Sequence, residues 1–187
     1  MFNKVNPKQS FPELEKEIIN YWKENKIFEK SVDTRNECDE FNFFDWPPFA
    51  TGTPHYGHLL AWTLKDVIPR YQTMLWKKVD RRFGWDCHGL PIENIVEKKL
   101  EISWKSDIEQ KVWVYEFNEA CRANVLTYTD EWKKVVNRMW RWVDIDNPYK
   151  TMDTDFMESV WWVFKSIYDK GLIYEGNRVV PYCTRCC

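Results

Sequence analysis

The sequence predicts an α/β fold with a parallel sheet, and three consecutive patterns predict it. Residues 41–45 are a short aromatic run with the length of a strand, residues 79–83 are interpreted as a second strand that ends at Phe83, and an apolar helical pattern lies between them. A strand, a helix and a second strand in this order form a parallel pair through a right-handed crossover. The 187 residues are 44% hydrophobic and 17% aromatic, which is enough for one domain with a buried core.

Residues 1–40 predict a helical extension ahead of this fold. Ser10 and Glu13 have the spacing of a capping box, and Pro12 suits the first turn of a helix. The apolar residues that follow fall on one helix face: Leu14, Ile18, Tyr21 and Trp22. Such a helix could face RNA or pack against the edge of the domain, and the apolar face favours packing.

The strand–helix–strand unit begins at Phe41–Asp45, which we expect to be a buried strand. A turn rich in proline and glycine follows, from Trp46 to Pro54. The next helix carries apolar residues on one side, namely Leu60, Leu64, Val67, Ile68 and Tyr71. Pro69 should kink this helix or mark its end. Val79–Phe83 is expected to form the second strand.

The second half of the chain is predicted to be mostly helical. One long helix is expected from about Asp107 to Met139, with apolar residues at a helical spacing. Another helix is expected from about Asp155 to Lys170, with Gly171 at its C-terminal cap. The residues after it, Leu172–Pro181, are predicted to form a strand or an extended chain.

Composition excludes several classes of protein. A net charge of −2, with 30% charged residues, argues against a basic nucleic-acid-binding module. The sequence has no run of about 18 apolar residues, and its N-terminus lacks the apolar core of a signal peptide. The six cysteines are unevenly spread, unlike those of a secreted disulfide framework. We therefore expect a cytoplasmic protein with no membrane segment.

Two of the three histidines, His55 and His58, stand where the turn leads into the predicted helix. Backbone N–H groups and the helix dipole favour phosphate at such a place, and the two imidazoles share one face of the first turn. They could stabilise the charge that builds on a triphosphate during attack at its α-phosphorus. Gly57 leaves room for a flat base. On spacing alone, the pair could also be structural or form half of a metal site.

The residues around this pair resemble the signature of class I aminoacyl-tRNA synthetases; residues 47–58 read PPFATGTPHYGH. A second block, FGWDCHGLPIE at residues 83–93, resembles the matching block of the isoleucine enzymes. Valine enzymes carry a GTDHAG type of run there, and leucine enzymes carry GWDAFGLP. The sequence CHGLPIE in this block therefore favours isoleucine. The resemblance spans nearly the whole chain, from Phe11 to Cys186.

By this resemblance, the ATP site lies at the turn into the helix. His55 and His58 are implied to stabilise the ATP phosphates during catalysis, and Gly57 is implied to lie near the adenine. Pro48 is implied to line the same site. Mg²⁺ would accompany the ATP.

The resemblance places the amino-acid site on two flanking pieces of chain. Asp86 matches the carboxylate that holds the α-ammonium group of the substrate, a role that suits a fixed anion. Pro47 matches a residue that lines the isoleucine side-chain pocket, and the backbone at Trp46 matches the edge of that pocket. From the sequence alone, Asp86 could instead cap the helix that follows it. Cys87 and His88 are not expected to form a nucleophile pair, because adjacent residues point apart.

The resemblance implies a full enzyme that joins L-isoleucine to ATP, forms isoleucyl-adenylate and passes isoleucine to tRNA(Ile) as a monomer. Residues 41–180 would be the first part of its Rossmann-type catalytic domain, and residues 181–187 would begin the connective insertion. Cys183 and Cys186 have the spacing that begins a zinc site in that insertion, with the other ligands supplied much later in the family. Residues 1–187 lack a Lys-Met-Ser-Lys-Ser type loop, so they are expected not to aminoacylate tRNA alone.

Three other functions fit parts of the pattern. A valine enzyme or another class I synthetase shares the histidine signature. A small nucleotidyltransferase also uses His-x-Gly-His after a first strand, although it would not be expected to carry the second block. A non-catalytic RNA-binding module would need a basic face, which the near-neutral charge does not predict.

Glycine and tryptophan occur in unusual numbers, 6 and 12 of 187 residues, where an average glycine content of about 7% predicts about 13. Five tryptophans stand where the family has glycine in all or some members: Trp46, Trp62, Trp76, Trp104 and Trp140. Our hypothesis is that UGA codons read as glycine in the source organism have been translated as tryptophan. Alternatively, the tryptophans are genuine and the protein is divergent or inactive, with an indole obstructing the amino-acid pocket. The remaining tryptophans are expected at core positions, among them Trp85, Trp113 and Trp161.

Overall fold

The computed structural model describes residues 6–182, which form two compact units, one ending at Thr151 and the other beginning at Met152. In chain order the elements are α1 (Phe11–Glu24), α2 (Ile27–Asp33), α3 (Tyr56–Met74), β1 (Arg82–Trp85), α4 (Leu90–Lys99), α5 (Lys105–Asp107), a π-helical turn (Ile108–Val112), α6 (Val114–Asn124), α7 (Thr129–Arg138), β2 (Asp144–Lys150) and α8 (Thr154–Asp169). No helix within residues 6–182 is long and apolar enough to cross a membrane.

The sheet of the first unit is parallel, as the sequence predicts. β1 pairs with β2, with Arg82 opposite Asp144 and Gly84 opposite Tyr149. Two further parallel bridges join the chain before α3 to the chain around β1, and these are Glu40 with Lys78 and Phe49 with Asp86. An extended segment, α3 and β1 therefore form the predicted parallel crossover.

The structure differs from the prediction at both predicted strands of this unit. Phe41–Asp45 is not a buried strand, because parallel bridges only flank it and Phe44 is 92% exposed. Aromatic residues favour extended chain, but a strand also needs a partner backbone alongside it. The second strand begins three residues later than expected, at Arg82, and Val79 lies buried ahead of it.

The sequence analysis does not predict β2, although β2 is the partner of β1. Its sequence, DIDNPYK, is mostly polar, and Ile145 is its buried apolar residue. The extended conformation of these residues is stabilised by pairing with β1, so a local pattern does not reveal it.

The single long helix expected from Asp107 to Met139 is wrong. The π-helical turn, Trp113 and residues 125–128 divide this stretch into α5, α6 and α7. Phe117 and Trp132 are each buried, but they lie on separate helices. The break at Trp113 has a φ of 76°, which a helix cannot include.

Pro69 does not end α3, which continues through it to Met74. The Pro69 carbonyl accepts hydrogen bonds from the Thr73 hydroxyl at 2.8 Å and from the Arg81 guanidinium at 3.0 Å. Proline removes one N–H donor from the helix, and these side chains add bonds on the following turn. The expectation that Pro69 marks the end of the helix is therefore wrong.

The predicted ends of α1 and α8 agree with the structure. α1 begins directly after Ser10 with a proline in its first turn, although the Ser10 side chain makes no capping hydrogen bond. α8 is followed by Gly171, whose φ is +67° and whose N–H bonds to the Tyr168 carbonyl at 2.8 Å. Residues 172–182 form no regular element.

The core of the first unit includes residues from β1, α4, α6 and α7 and a single aromatic side chain of α3, Trp62. Its largest fully buried side chains include Trp62, Phe83, Trp85, Ile92 and Trp132. Trp85 is therefore a core residue as predicted, but Trp113 and Trp161 are 70% and 69% exposed. Trp161 lies on α8, none of whose residues is buried. The apolar side predicted for α3 is likewise exposed, from Leu60 to Tyr71.

Candidate active site

The two signature histidines are brought together at the N-terminus of α3. His55 is the N-cap residue, and its Nδ1 accepts a hydrogen bond from the Gly57 N–H at 3.1 Å. His58 Nδ1 accepts from the His55 N–H at 3.1 Å, which completes a reciprocal capping box. The rings stack with their centroids 3.7 Å apart. With both Nδ1 atoms acting as acceptors, a neutral ring carries its proton on Nε2, where it can be donated to a ligand.

His58 packs against a cluster of three tryptophan side chains. Its ring centroid lies 4.7 Å from that of Trp132, and Trp132 in turn contacts Trp62 and Trp85 at 5.2 and 5.8 Å. The Trp132 indole N–H donates to the Gly52 carbonyl at 2.6 Å. Trp132 therefore links the turn ahead of α3 to the same core residues that His58 contacts.

The surroundings of His58 favour its neutral form. Burial lowers the pKa of His58 from 6.5, and the nearby positive charges of His55 and Lys65 lower it further. Two protonated imidazoles stacked face to face would repel each other. At neutral pH the structure therefore presents a neutral His58 that can donate one hydrogen bond to a phosphate oxygen.

Asp86 lies directly after β1, beside the turn that leads into α3. Its backbone N–H donates to the Pro48 carbonyl at 2.9 Å, which joins the two signature blocks through one bond. Its Oδ1 lies 3.4 Å from the His88 N–H. The N-cap of α4 is Gly89, so capping does not explain Asp86. The Cys87 thiol donates to the Trp85 carbonyl at 3.4 Å, and His88 is exposed.

The remaining predicted residues of the amino-acid and ATP sites lie in the turn ahead of α3. Pro47 and Pro48 are half-buried, and the Trp46 side chain is 82% exposed. The carbonyl of Trp46 accepts a hydrogen bond from the Lys65 ammonium at 2.8 Å. Gly57 is exposed, and a Cβ there would meet the His55 ring at 2.9 Å. A side chain at position 57 would therefore disturb the histidine cap.

Sequence reasoning missed two side chains that reach this turn, Lys65 and Tyr149. Lys65 follows His58 by two helical turns, and Tyr149 comes from β2. The Tyr149 hydroxyl donates to the Asp45 carbonyl at 2.8 Å. Lys65 could have been noticed because it is a charged residue within the apolar helical pattern. No feature of the residues around Tyr149 indicates its contact with Asp45.

Cys183 and Cys186 lie outside the described residues, and within residues 6–182 no three His, Cys, Asp or Glu side chains converge as metal ligands. A cavity of about 340 Å³ lies beside α1 and residues 137–147, and it contains none of the predicted site residues.

Comparison with known proteins places the chain in a family. The family model of tRNA synthetases class I (I, L, M and V) matches residues 17–187. The isoleucine–tRNA ligase of Treponema denticola is 54% identical over 186 residues, which are 100% of this chain and 17% of the relative. The isoleucine–tRNA ligase of the Wolbachia of Brugia malayi is 60% identical over 176 residues, 94% and 15% of the two chains.

The fold is also similar to a solved structure. In the ternary complex of Agrobacterium radiobacter K84 agnB2 LeuRS with tRNA and LeuAMS, the LeuRS chain matches with a TM-score of 0.52 at 21% identity. The match covers 86% of this chain and 18% of that chain. This chain therefore spans less than a fifth of the proteins that it resembles. The two signature blocks are joined by the Pro48–Asp86 hydrogen bond, and the family model covers residues 17–187, so the chain belongs to the class I tRNA synthetases.

Proposed function

We propose that this chain supplies the ATP-binding and amino-acid-binding part of an enzyme that activates L-isoleucine and transfers it to tRNA(Ile). Residues 41–180 would be the first part of its catalytic domain. The observation that carries the proposal is the joining of the two blocks: the Pro48–Asp86 hydrogen bond links the end of β1 to the turn that leads into the histidine pair. The choice of isoleucine is supported by the relatives, which are named isoleucine–tRNA ligases.

The histidine pair would act on the phosphates of ATP. In the activation step a carboxylate oxygen of isoleucine attacks the α-phosphorus, and pyrophosphate leaves with the bonding electrons. Negative charge builds on the phosphate oxygens, and Nε2–H donors held at a helix N-terminus stabilise it. Ring stacking and two capping hydrogen bonds fix the positions of His55 and His58, so little reorganisation would be needed during the reaction.

Asp86 would select the amino acid by its charge. Its carboxylate is half-buried at the end of β1, where it can pair with the α-ammonium group of a free amino acid. The Pro47 and Trp46 backbone would border the side-chain pocket, and Pro48 and Gly57 would border the nucleotide. No enzyme side chain needs to form a covalent bond, because catalysis rests on positioning and charge stabilisation.

Mg²⁺ would arrive with the phosphates of ATP, whose charge it partly neutralises. Within residues 6–182, no cluster of carboxylate and imidazole side chains could hold the ion alone. In the second step the adenylate passes isoleucine to a hydroxyl of tRNA(Ile), and AMP leaves.

The proposal is tested by isoleucine-dependent ATP–pyrophosphate exchange in the complete gene product. We expect exchange with isoleucine, weaker exchange with valine and none without an amino acid. His58→Asn should lower kcat by about 100-fold or more, the effect of removing a donor aimed at developing charge. Exchange that is driven by another amino acid in preference to isoleucine would overturn the substrate, and full activity in His58→Asn would overturn the role of the pair.

A further inference from the structure

Three side chains from separate parts of the chain converge on residues 45–46. Lys65 of α3 donates to the Trp46 carbonyl at 2.8 Å, and Tyr149 of β2 donates to the Asp45 carbonyl at 2.8 Å. Arg141, which follows α7, donates to the Asp45 carboxylate. This segment has no helix or strand of its own, so these contacts fix its position.

The charges that hold this segment are buried. The side chains of Asp45 and Arg141 are each 4% exposed, and that of Lys65 is 24% exposed. Asp45 pairs with both cations, through Oδ1 to Lys65 and through Oδ2 to Arg141. A buried ion pair adds little net stability compared with apolar packing, so stability alone does not account for this cluster.

Tyr149 reaches Asp45 because β1 leaves room for its ring. Gly84 lies opposite Tyr149 in the sheet, and a Cβ on Gly84 would overlap that ring. Burial raises the pKa of the Tyr149 phenol, and the negative charges of Asp45 and Asp86 raise it further. The phenol therefore stays protonated and donates a hydrogen bond to the Asp45 carbonyl, near Asp86, the carboxylate that would hold the substrate ammonium group.

We propose that Lys65 and Tyr149 are positioning residues that fix the backbone of residues 45–48 and so set the pocket for the amino-acid side chain. This rests on the proposed function, in which the same backbone borders that pocket. Neither residue needs to touch the substrate. In the proposed function, the nucleotide phosphates would bind at the histidine pair. The turn ahead of these histidines has a separate contact, the Trp132–Gly52 hydrogen bond. Loss of the Lys65 or Tyr149 hydrogen bond should therefore weaken amino-acid binding more than ATP binding.

The test compares Michaelis constants for isoleucine and ATP in the complete gene product. Lys65→Met should raise the KM for isoleucine about tenfold, as expected for a lost hydrogen bond to a charged donor, with little change in the KM for ATP. Lys65→Arg, which keeps the charge, should recover part of the loss. Lys165→Met removes a lysine from an exposed ion pair with Asp169 on α8 and is the matched control.

Tyr149→Phe keeps the ring and removes only the hydroxyl, so the fold is preserved even if Lys65→Met is unstable. It should raise the KM for isoleucine about three- to tenfold, the effect of one neutral hydrogen bond. Equal changes in both Michaelis constants, or a fall in kcat alone, would overturn the positioning role. Absence of isoleucine-dependent exchange in the complete protein isolated from its source organism would overturn the proposed function instead, before any variant is compared.

A second inference rests on a different observation, the backbone angles of three tryptophans. Five non-glycine residues in the described chain have positive φ, and three of them are Trp76, Trp113 and Trp140, with φ of 63°, 76° and 62°. Tryptophan makes up only 12 of 187 residues, so chance does not place three in this group. Positive φ is an outlier for a bulky side chain and ordinary for glycine.

Two of these tryptophans end helices in a geometry that the chain builds with glycine after α8 and with Glu101 after α4. After α8, the N–H groups of Gly171 and Leu172 bond to the carbonyls of Tyr168 and Ile167. Trp76 with Lys77 after α3, and Trp140 with Arg141 after α7, make the same pair of bonds. This is the Schellman motif, whose left-handed residue is usually glycine. The indole N–H of Trp140 is also buried with no hydrogen-bond partner among the described residues.

We infer that the natural protein carries glycine at positions 76, 113 and 140. Trp113 adds to the positions that the sequence comparison indicated, because its φ and ψ of 76° and 145° are accessible mainly to glycine. Peptide mass mapping of the protein from its source organism tests this directly. Glycine masses at all three positions are expected, together with tryptophan at Trp85 and Trp132. A tryptophan mass at any of the three positions would overturn the inference.

Discussion

The tryptophans beneath the histidine pair and those at the helix ends are the same residue type in opposite environments. Trp85 and Trp132 are each 1% exposed, and their rings contact each other at 5.8 Å. Trp76 and Trp113 are 65% and 70% exposed, and their backbones have positive φ. In the first region the indole fills space that supports His58. In the second region the backbone requires a conformation that the indole makes costly.

This difference shows that a residue must be judged by its side chain and its backbone together. Trp140 is half-buried, and its ring centroid lies 5.6 Å from that of Trp22. By burial alone it would be grouped with the core tryptophans. Its φ of 62° and its place in the helix end rank it with Trp76. Trp46, Trp62 and Trp104 do not have positive φ, so for them the glycine hypothesis still rests on the sequence resemblance.

The largest effect is expected in the core, at Trp132. Trp132→Ala should lower the free energy of unfolding by about 3 to 5 kcal/mol, because it leaves a large cavity against Trp62 and Trp85. It also removes the hydrogen bond to Gly52 that fastens the turn ahead of α3. Chemical denaturation measures the loss, and Trp132→Phe separates the ring from the indole N–H. If Trp132→Ala lowers the free energy of unfolding by less than the replacement of an exposed tryptophan with alanine does, the two regions do not differ as described.

A glycine within the sheet gives the next largest effect. Gly84→Ala should destabilise the fold by about 1 to 3 kcal/mol, because the new methyl group overlaps the Tyr149 ring. Glycine is needed here for space, whereas at the helix ends it is needed for backbone conformation. The double variant Gly84→Ala with Tyr149→Ala should recover part of the loss, as measured by thermal unfolding. Equal losses in the single and double variants would show that the overlap is not the cause.

A smaller effect, of opposite sign, is expected at Trp113. Trp113→Gly should stabilise the fold by about 1 to 2 kcal/mol, the cost of holding a bulky residue at positive φ. Trp104 is the matched control, because it is equally exposed at 72% but has a φ of −134°. Trp104→Gly should not stabilise the fold. If the two substitutions have the same effect on the unfolding midpoint, backbone conformation does not distinguish these tryptophans.

The smallest effect concerns the pH dependence of stability at His58. Its pKa is lowered in the folded state from 6.5, chiefly by burial, so the unfolded state binds the proton more readily. The contribution of His58 to stability is therefore complete above pH 6.5 and is lost as the pH falls through the folded-state pKa. His58→Asn should make stability less dependent on pH in this window. Parallel curves for the two proteins would contradict the assigned shift.

The parts of the fold and site that follow from short-range chemistry could be predicted from the sequence. The histidine pair at the start of α3 and Gly171 after α8 depend on helix caps, which involve only neighbouring residues. β2 could not be predicted, because its polar sequence is made a strand by β1. Tyr149 was missed for the same reason, since its partner Asp45 is distant in sequence.

The missed break between α5 and α6 has a further cause. A glycine at position 113 would have indicated a break in the predicted long helix, whereas a tryptophan continued its apolar spacing. The sequence prediction was wrong at the position where the backbone indicates a different residue. Residues that depart from local structural rules therefore carry information about the sequence itself.

The most direct test of this account is isoleucine-dependent ATP–pyrophosphate exchange by the complete gene product prepared in two forms. One form carries tryptophan at positions 46, 76, 113 and 140, and the other carries glycine at all four. We expect the glycine form to exchange with isoleucine in preference to valine, and the tryptophan form to show no exchange because the indole at position 46 obstructs the pocket. Exchange by neither form would contradict the proposed function, and equal exchange by both would contradict the obstruction of the amino-acid pocket by Trp46.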